Sequence, residues 1–280
     1  MTHVADVWMP FSLPVITNTS SEALYIIDAL CHHESDLNIK EHYTDSASAV
    51  YHVFALTALL GFQFAPSFRQ PTKQWLYCVK DVAINEPLAT SFKGTVKNNL
   101  ITEHWHDIQR LGSSIGYGVC SAALIMRKLL SYPRQNKLAQ ALKEVGKLEH
   151  TIFVLKYLGD DLLQRSVRIG LNKSESMNRL FRVIDLGKKG TLSEKKREDM
   201  SHRISCMALL AAIISSWNML YLDYAVREFA EHDLIVPKEL LPHISPNHWA
   251  RINFLGEYRF TLEEACSLDD LRPLVKQWDS

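Results

Sequence analysis

Cysteine is scarce and scattered in this sequence: the five present (Cys31, Cys78, Cys120, Cys206, Cys266) are odd in number and contain no Cys-x-x-Cys. That excludes a disulfide framework and a structural zinc site, and fits a reducing cytoplasm. Net charge is also missing, because 31 basic residues balance 31 acidic ones. No global field draws the chain to nucleic acid, so any DNA contact must be local. Long apolar runs are lacking as well. The longest, Cys206 to Trp217, contains Ser215 and Ser216 and falls short of the about 20 apolar residues that a bilayer span needs. It predicts a buried helix rather than a membrane anchor. Met1 to Asp6 shows no basic segment leading into an apolar one, so no secretory signal is expected. A phosphate-binding Walker loop, a Gly-x-Ser-x-Gly elbow, a Rossmann glycine fingerprint and a His-Glu-x-x-His pair are absent, the last despite 12 histidines. Nucleotide hydrolysis and acyl transfer therefore have no support. The chain reads as soluble and intracellular.

What is present is enough apolar residue, 47% against 22% charged over 280 residues, to fill a substantial core. Val4 to Ile16 mixes aromatic, apolar and Pro residues, which suits extended or edge structure. Apolar spacing after Ser20 and Ser21 predicts a helix over 23–30 with a serine cap. Ile39 to Thr44 predicts a short strand ending at Asp45, and Ser46 to Leu60 a helix stopped by Gly61. Phe62 to Ala65 and Trp75 to Val79 suit strands. From about residue 81 the pattern is helical: Asn99–Leu111, Cys120–Leu130, Asn136–Leu158, Asn172–Ile184 and Arg203–Phe229 all repeat apolar residues at threes and fours. Gly187 to Asp199 reads as a mobile, solvated loop. The fold class expected is helix-rich α/β.

Two acids carry the chemistry. Asp45 closes a strand, and strand carboxyl ends are where open α/β sheets bind ligands; followed by Ser-Ala-Ser, it also suits a helix N-cap. Glu175 lies in Gly170-Leu171-Asn172-Lys173-Ser174-Glu175, where Asn172 and Glu175 imitate a capping box. Its other reading is a metal ligand. Asn172, Glu175, Arg179 and Arg182 share one helix face by spacing, and Arg168 would join them only if the helix began before Gly170. Two hard carboxylates brought together could hold Mg²⁺ or Mn²⁺ for phosphodiester chemistry, but two are too few for a complete site. The basic clusters Arg127-Lys128, Arg134 to Lys137, Lys195 to Arg197 and His202-Arg203 could each grip phosphate.

Several segments together resemble one family. His32-His33-Glu34, Glu41 to Asp45, Leu59 to Pro66, Glu103-His104-Trp105, Tyr132 to Asn136, Gly170 to Lys173, the stretch from His202 to Asn218, and Ile244-Ser245-Pro246 with Trp249 and Ile252-Asn253 are collinear with the catalytic domain of the Tn-three family of replicative transposases. The resemblance implies a ribonuclease-H-like core of the Asp-Asp-Glu type, in which Asp45 matches the second acid and Glu175 the third, both as catalytic metal ligands. Beside metal and DNA, the helix face of Glu175 would put Arg179 and Arg182 on phosphates, and Asn172, Lys173, Arg179, His202 and Arg203 are second-rank candidates for phosphate or metal-shell contacts. Residues 1–80 would form a partial sheet with its helices, 81–165 a helical insertion, 166–232 the core helices carrying the third acid, and 233–280 an extension.

The family's first Asp would lie upstream of the segment resembling Thr2 to Ile16, and Asp6, Asp28 and Asp36 do not sit in its motif. The expectation is an N-terminally truncated transposase domain with a cofactor of Mg²⁺ or Mn²⁺, nearly inactive alone in 3′-end cleavage and strand transfer. Its expected partners are transposon-end and target DNA and itself or an intact transposase, without a membrane, in the bacterial cytoplasm at the nucleoid. The alternatives are a non-catalytic regulator that binds DNA or transposase, and a helical scaffold in which both acids merely cap helices.

Overall fold

A computed structural model describes residues 3–5, 9–14, 22–33, 35–84, 86–131, 136–185, 196–237, 239–241 and 252–257. The chain forms two compact units, one of Met1–Asp6 with Phe11–Ser176 and the other of Val7–Pro10 with Met177–Ser280. It is helix-rich, as expected. The elements are β1 (His3–Val4), β2 (Pro10–Ser12), α1 (Ala23–Cys31), β3 (Glu41–Thr44), α2 (Tyr51–Leu59), β4 (Gln63–Pro66), β5 (Leu76–Cys78), α3 (Glu86–Ala89), β6 (Phe92–Thr95), α4 (Asn98–Glu103), α5 (Trp105–Gly116), α6 (Ala122–Ser131), α7 (Lys137–Gly159), α8 (Asp161–Ile184) and α9 (Arg197–Glu231).

In the first unit, β3 and β4 pair in parallel from Glu41 opposite Gln63 to Thr44 opposite Pro66. Parallel neighbours need a crossover, and α2 supplies it. Six consecutive α2 residues, His52 to Thr57, are buried, because α2 lies between two cores. One joins Phe54, Phe64, Phe68, Phe153 and Tyr157; the other joins Leu56, Ile108, Met126 and Leu142. Gly146 of α7 makes this possible: a Cβ there would lie 1.8 Å from the Tyr51 carbonyl oxygen.

Polar side chains fix the remaining elements to α7 and α1. Thr151 Oγ1 accepts the Tyr77 N–H at 2.9 Å, tying β5 to α7. Buried Glu144 accepts the Lys97 N–H at 3.2 Å and a 2.7 Å bond from Lys147. Asp28 accepts from Ser121 Oγ at 2.7 Å and from the Ala122 and Ala123 N–H groups at 2.6 and 3.0 Å. It thereby caps α6 from α1, satisfying N–H groups a helix start leaves open.

Several sequence expectations need correcting. The predicted helix over 46–60 begins as a single 3-10 turn at Ser46–Ser48 and resumes at Tyr51, because Ala49 and Val50 leave the helical conformation. His104 divides the predicted Asn99–Leu111 helix into α4 and α5. A parallel strand pair, β5 with β6, extends into the region expected to be helical. Ser20 and Ser21 lie outside the described residues, as does most of the predicted loop, while Arg197 to Asp199 open α9.

The largest departure is the Cys206–Trp217 stretch. It lies in α9, and Leu209, Leu210, Ile213 and Trp217 are exposed; of this stretch only Ala211 and Ser215 are buried. Apolar side chains surround the axis there instead of forming one stripe, so one neighbouring helix cannot cover them. From Glu198 to Glu231, α9 is long and apolar enough to cross a membrane by length and composition, a property shared with core helices of soluble proteins.

Candidate metal and nucleic-acid site

Asp45 stands at the carboxyl end of β3, exposed, and its Oδ1 accepts the Ala47 N–H at 3.1 Å. It therefore does cap a helical turn. A carboxylate offers about four lone-pair sites, so the cap leaves capacity for a cation. Behind it lies a layer of uncharged rings. His42 is pushed down to about 4 by burial, and His3 to about 3 by burial, His42 and the terminal amine. Their rings are 5.3 Å apart, and His42 stacks on Phe64.

Glu175 is not at a helix start, which overturns the capping-box reading. α8 begins at Asp161, where Asp160 Oδ1 accepts the Leu162 and Leu163 N–H groups at 2.8 and 3.0 Å, and it continues unbroken through Gly170. Glycine inside a helix costs about 1 kcal/mol relative to alanine. Here a Cβ would lie 2.4 Å from Tyr43 Cδ2, so glycine is what lets α8 lie against β3.

The direction of α8 follows from its contacts. Glu41 and Gln63, which begin β3 and β4, line one groove with Leu162, Leu163 and Ser166, whereas Gly170 meets Tyr43. Moving up α8 thus moves along β3 in the same sense. From Gly170 to Glu175 the helix advances about 7.5 Å, and from Tyr43 to Asp45 the strand advances about 6.6 Å. Both acids thus lie past the Gly170–Tyr43 contact in the same sense along their elements. Glu175 lies one turn beyond Leu171, which packs on the first core, so its carboxylate stands on the flank of α8, exposed.

Because α8 starts early, Arg168 joins Asn172, Glu175, Arg179 and Arg182, and Arg165, which the sequence reading missed, extends the row. All six are exposed. Continuing the three-and-four spacing past Gly170 would have found Arg165. Lys173 is half-buried and off this row, and His202 is exposed on α9. Arg203 is committed differently: its guanidinium pairs with the fully buried Asp185 carboxylate, joining the end of α8 to the start of α9. No local sequence signal announces that pair.

The fit to a divalent cation is partial. Asp45 and Glu175 are the hard oxygen donors that Mg²⁺ or Mn²⁺ takes. Among the described residues no group of three or more His, Cys, Asp or Glu converges to complete a site. Asp28 is used up in capping α6, Asp36 is exposed, and Asp6 lies outside the described residues.

The Tn3 transposase DDE domain matches residues 1–258 of this chain. Transposase for transposon Tn1546 of Enterococcus faecium is 42% identical, over 96% of this chain and 27% of its own length. For transposase for transposon Tn501 of Pseudomonas aeruginosa the values are 41%, 98% and 28%. Transposase for transposon gamma-delta of Escherichia coli is 28% identical over 97% of this chain and 27% of its own. The chain thus spans little more than a quarter of these relatives. With its strand-end Asp45 and mid-helix Glu175 in a helix-rich fold, the chain belongs to the Tn3 transposase DDE domain family.

Proposed function

We propose that this chain contributes two of the three acids of a metal-dependent DNA cleavage and strand-transfer site, acting at transposon 3′ ends within a ribonuclease-H-like core. The observation that supports this is the close approach of Gly170 in α8 to Tyr43 in β3, Tyr43 standing two residues before Asp45 and Gly170 five before Glu175. The family is divalent-metal dependent. Bound cations there would neutralise the phosphodiester and activate water or a 3′-hydroxyl as nucleophile. Asp45 and Glu175 would hold the cation, with Arg165, Arg168, Asn172 and Lys173 of the same unit as cations and polar groups for phosphate; Arg179, Arg182 and His202 of the second unit are separate candidates for phosphate contact. Arg203 orders the start of α9 through Asp185. In this reading 1–80 is part of the sheet with its helices, 81–165 an insertion, 166–232 the core helices with the third acid, and 233–280 an extension. The protein works in the cytoplasm, on DNA.

With two of three carboxylates, these 280 residues alone cleave DNA poorly. Mn²⁺ titration by electron paramagnetic resonance tests the ligands. Asp45→Asn and Glu175→Gln should each weaken binding tenfold or more, and unchanged binding in both refutes the assignment. Robust Mg²⁺-dependent nicking by the purified chain, abolished by Asp45→Ala, would refute the weak-activity reading.

The exposed apolar residues of α9 favour a second role, association with a full-length transposase. Mixing the chain with such an enzyme should then depress its cleavage; unaffected cleavage rejects that role.

A further inference from the structure

We propose that Tyr43 and Gly170 are positioning residues that set the height of Glu175 relative to Asp45, an inference that rests on those two acids being the metal ligands. The contact is built at the root of the side chain. A Cβ on Gly170 would lie 2.4 Å from Tyr43 Cδ2, 3.0 Å from Cγ and 3.2 Å from Cβ. These atoms cannot swing aside as a flexible chain end would. Tyr43 is also held through its hydroxyl, which donates to Glu41 Oε2 at 2.5 Å. Its neighbour across the parallel pair is the fully buried Ala65, which fixes the strand beneath it. Val167 and Leu171, flanking Gly170, pack on the same core as Tyr43. By contrast, Gly94 and Gly159 would meet nothing within 4 Å, so close approach is a property of particular crossings, this one and that of Gly146 with Tyr51, and not of glycine positions in general.

An ordinary contact for that Cβ begins at 3.4 Å, so an alanine at 170 must move α8 or the ring by 3.4 − 2.4 = 1.0 Å. A displacement of about 1 Å is enough to spoil catalytic geometry. Five residues beyond the pivot, Glu175 would move relative to Asp45, while Asp45, anchored by its own cap, would stay.

Iron-directed backbone cleavage of the whole 280-residue chain tests this. Fe²⁺ replaces Mg²⁺, and ascorbate with peroxide produces cuts near the bound ion. The wild-type chain should be cut near both Asp45 and Glu175. Gly170→Ala should keep the cut near Asp45 and lose at least fivefold of the cut near Glu175, with at least half recovered when Tyr43→Ala is added. A Gly170→Ala pattern equal to wild type overturns the inference, as does loss of both cuts together in a chain whose circular dichroism is native. If Gly170→Ala fails to fold, Tyr43→Ala alone is read: a fivefold fall near Glu175 supports the positioning role, and an unchanged pattern overturns it. Absence of cuts in the wild-type chain, or cuts that survive Asp45→Asn and Glu175→Gln, overturns the ligand assignment instead.

Discussion

Helices α7 and α9 are both long and comparably apolar, yet they differ in burial. α7 carries Glu144, Lys147, His150 and Thr151 on buried or half-buried positions, yet ten of its residues are buried. α9 carries the longest apolar run in the sequence, yet Leu209 and Ile213 are 63% and 55% exposed. Burial is therefore decided by how neighbours satisfy a face, not by how apolar the face is. Glu144 and Thr151 of α7 have hydrogen-bond partners, Lys97 and Tyr77, while His150 lies against the Phe54 and Phe68 rings with its buried Nδ1 unpartnered. α7 organises its unit, whereas α9 leaves apolar side chains exposed.

The largest effect expected from breaking that contrast is at the α2–α7 crossing. Gly146→Ala would drive a Cβ into the Tyr51 carbonyl, a backbone atom that cannot step aside, and overpacking of this kind costs about 3 kcal/mol. Urea unfolding should show the loss as a lower midpoint. An alanine at Gly159, which has open space around it, should leave the midpoint nearly unchanged. Equal effects at the two positions would mean that α7 is not closely packed.

Next comes the buried pair of the second unit. Asp185→Ala leaves Arg203 facing a buried site, and removing one partner of such a pair costs about 3 kcal/mol. Arg227 and Asp223, an exposed pair on α9, should be worth under about 0.5 kcal/mol. Hydrogen exchange across α8 and α9 distinguishes them: Asp185→Ala should speed exchange at the α8–α9 end, and Asp223→Ala should not.

Acid should loosen the first unit before the second. His3 and His150 titrate at about 3 and about 4 in the folded chain, both lowered mainly by burial, against 6.5 unperturbed. Their neutral forms are favoured by folding, so the associated stability is complete above pH 6.5 and lost as pH falls from 6.5 towards 4. The unfolded chain gains protons over that window and the folded chain does not. Each histidine removes about 1.4 kcal/mol per pH unit there. Hydrogen exchange between pH 7 and pH 4.5 should accelerate in α2 and α7 well before α9, whose His202 is exposed. His150→Phe should flatten the profile.

How much of this was legible in the sequence depends on how local the cause is. Alternation and turn residues around Glu41–Thr44 and Gln63–Pro66 revealed β3 and β4, and Asn136 announced the start of α7, where its side chain accepts the Ala139 N–H at 3.1 Å. The start of α8 was misread because Gly170 looked like a breaker, and its reason is Tyr43, distant in sequence but adjacent in space. β6 was missed because Phe-Lys-Gly-Thr has little strand pattern; only its pairing with Leu76–Cys78 explains it. The exposure of α9 and the Arg203–Asp185 pair depend on tertiary neighbours, which no spacing rule encodes. Asp45 was legible twice over, as cap and as strand end, and both readings describe real features of its position.

The smallest expected effect sharpens what the exposed row on α8 does. Arg165 and Arg168 precede Glu175 on one face, and Arg168 spends its Nε on the Gln164 carbonyl at 3.3 Å, leaving the rest of its guanidinium for solvent or phosphate. A solvated pair of arginines would leave DNA binding unchanged when removed. Phosphate contacts would behave otherwise, because each one releases a counterion and adds about 0.9 to the slope of log K against log salt. Replacing both by alanine should therefore lower that slope by about 1 to 2 for a duplex of arbitrary sequence, with no change in unfolding midpoint. The same slope in both proteins would confine the DNA face of α8 to Glu175 and the residues after it.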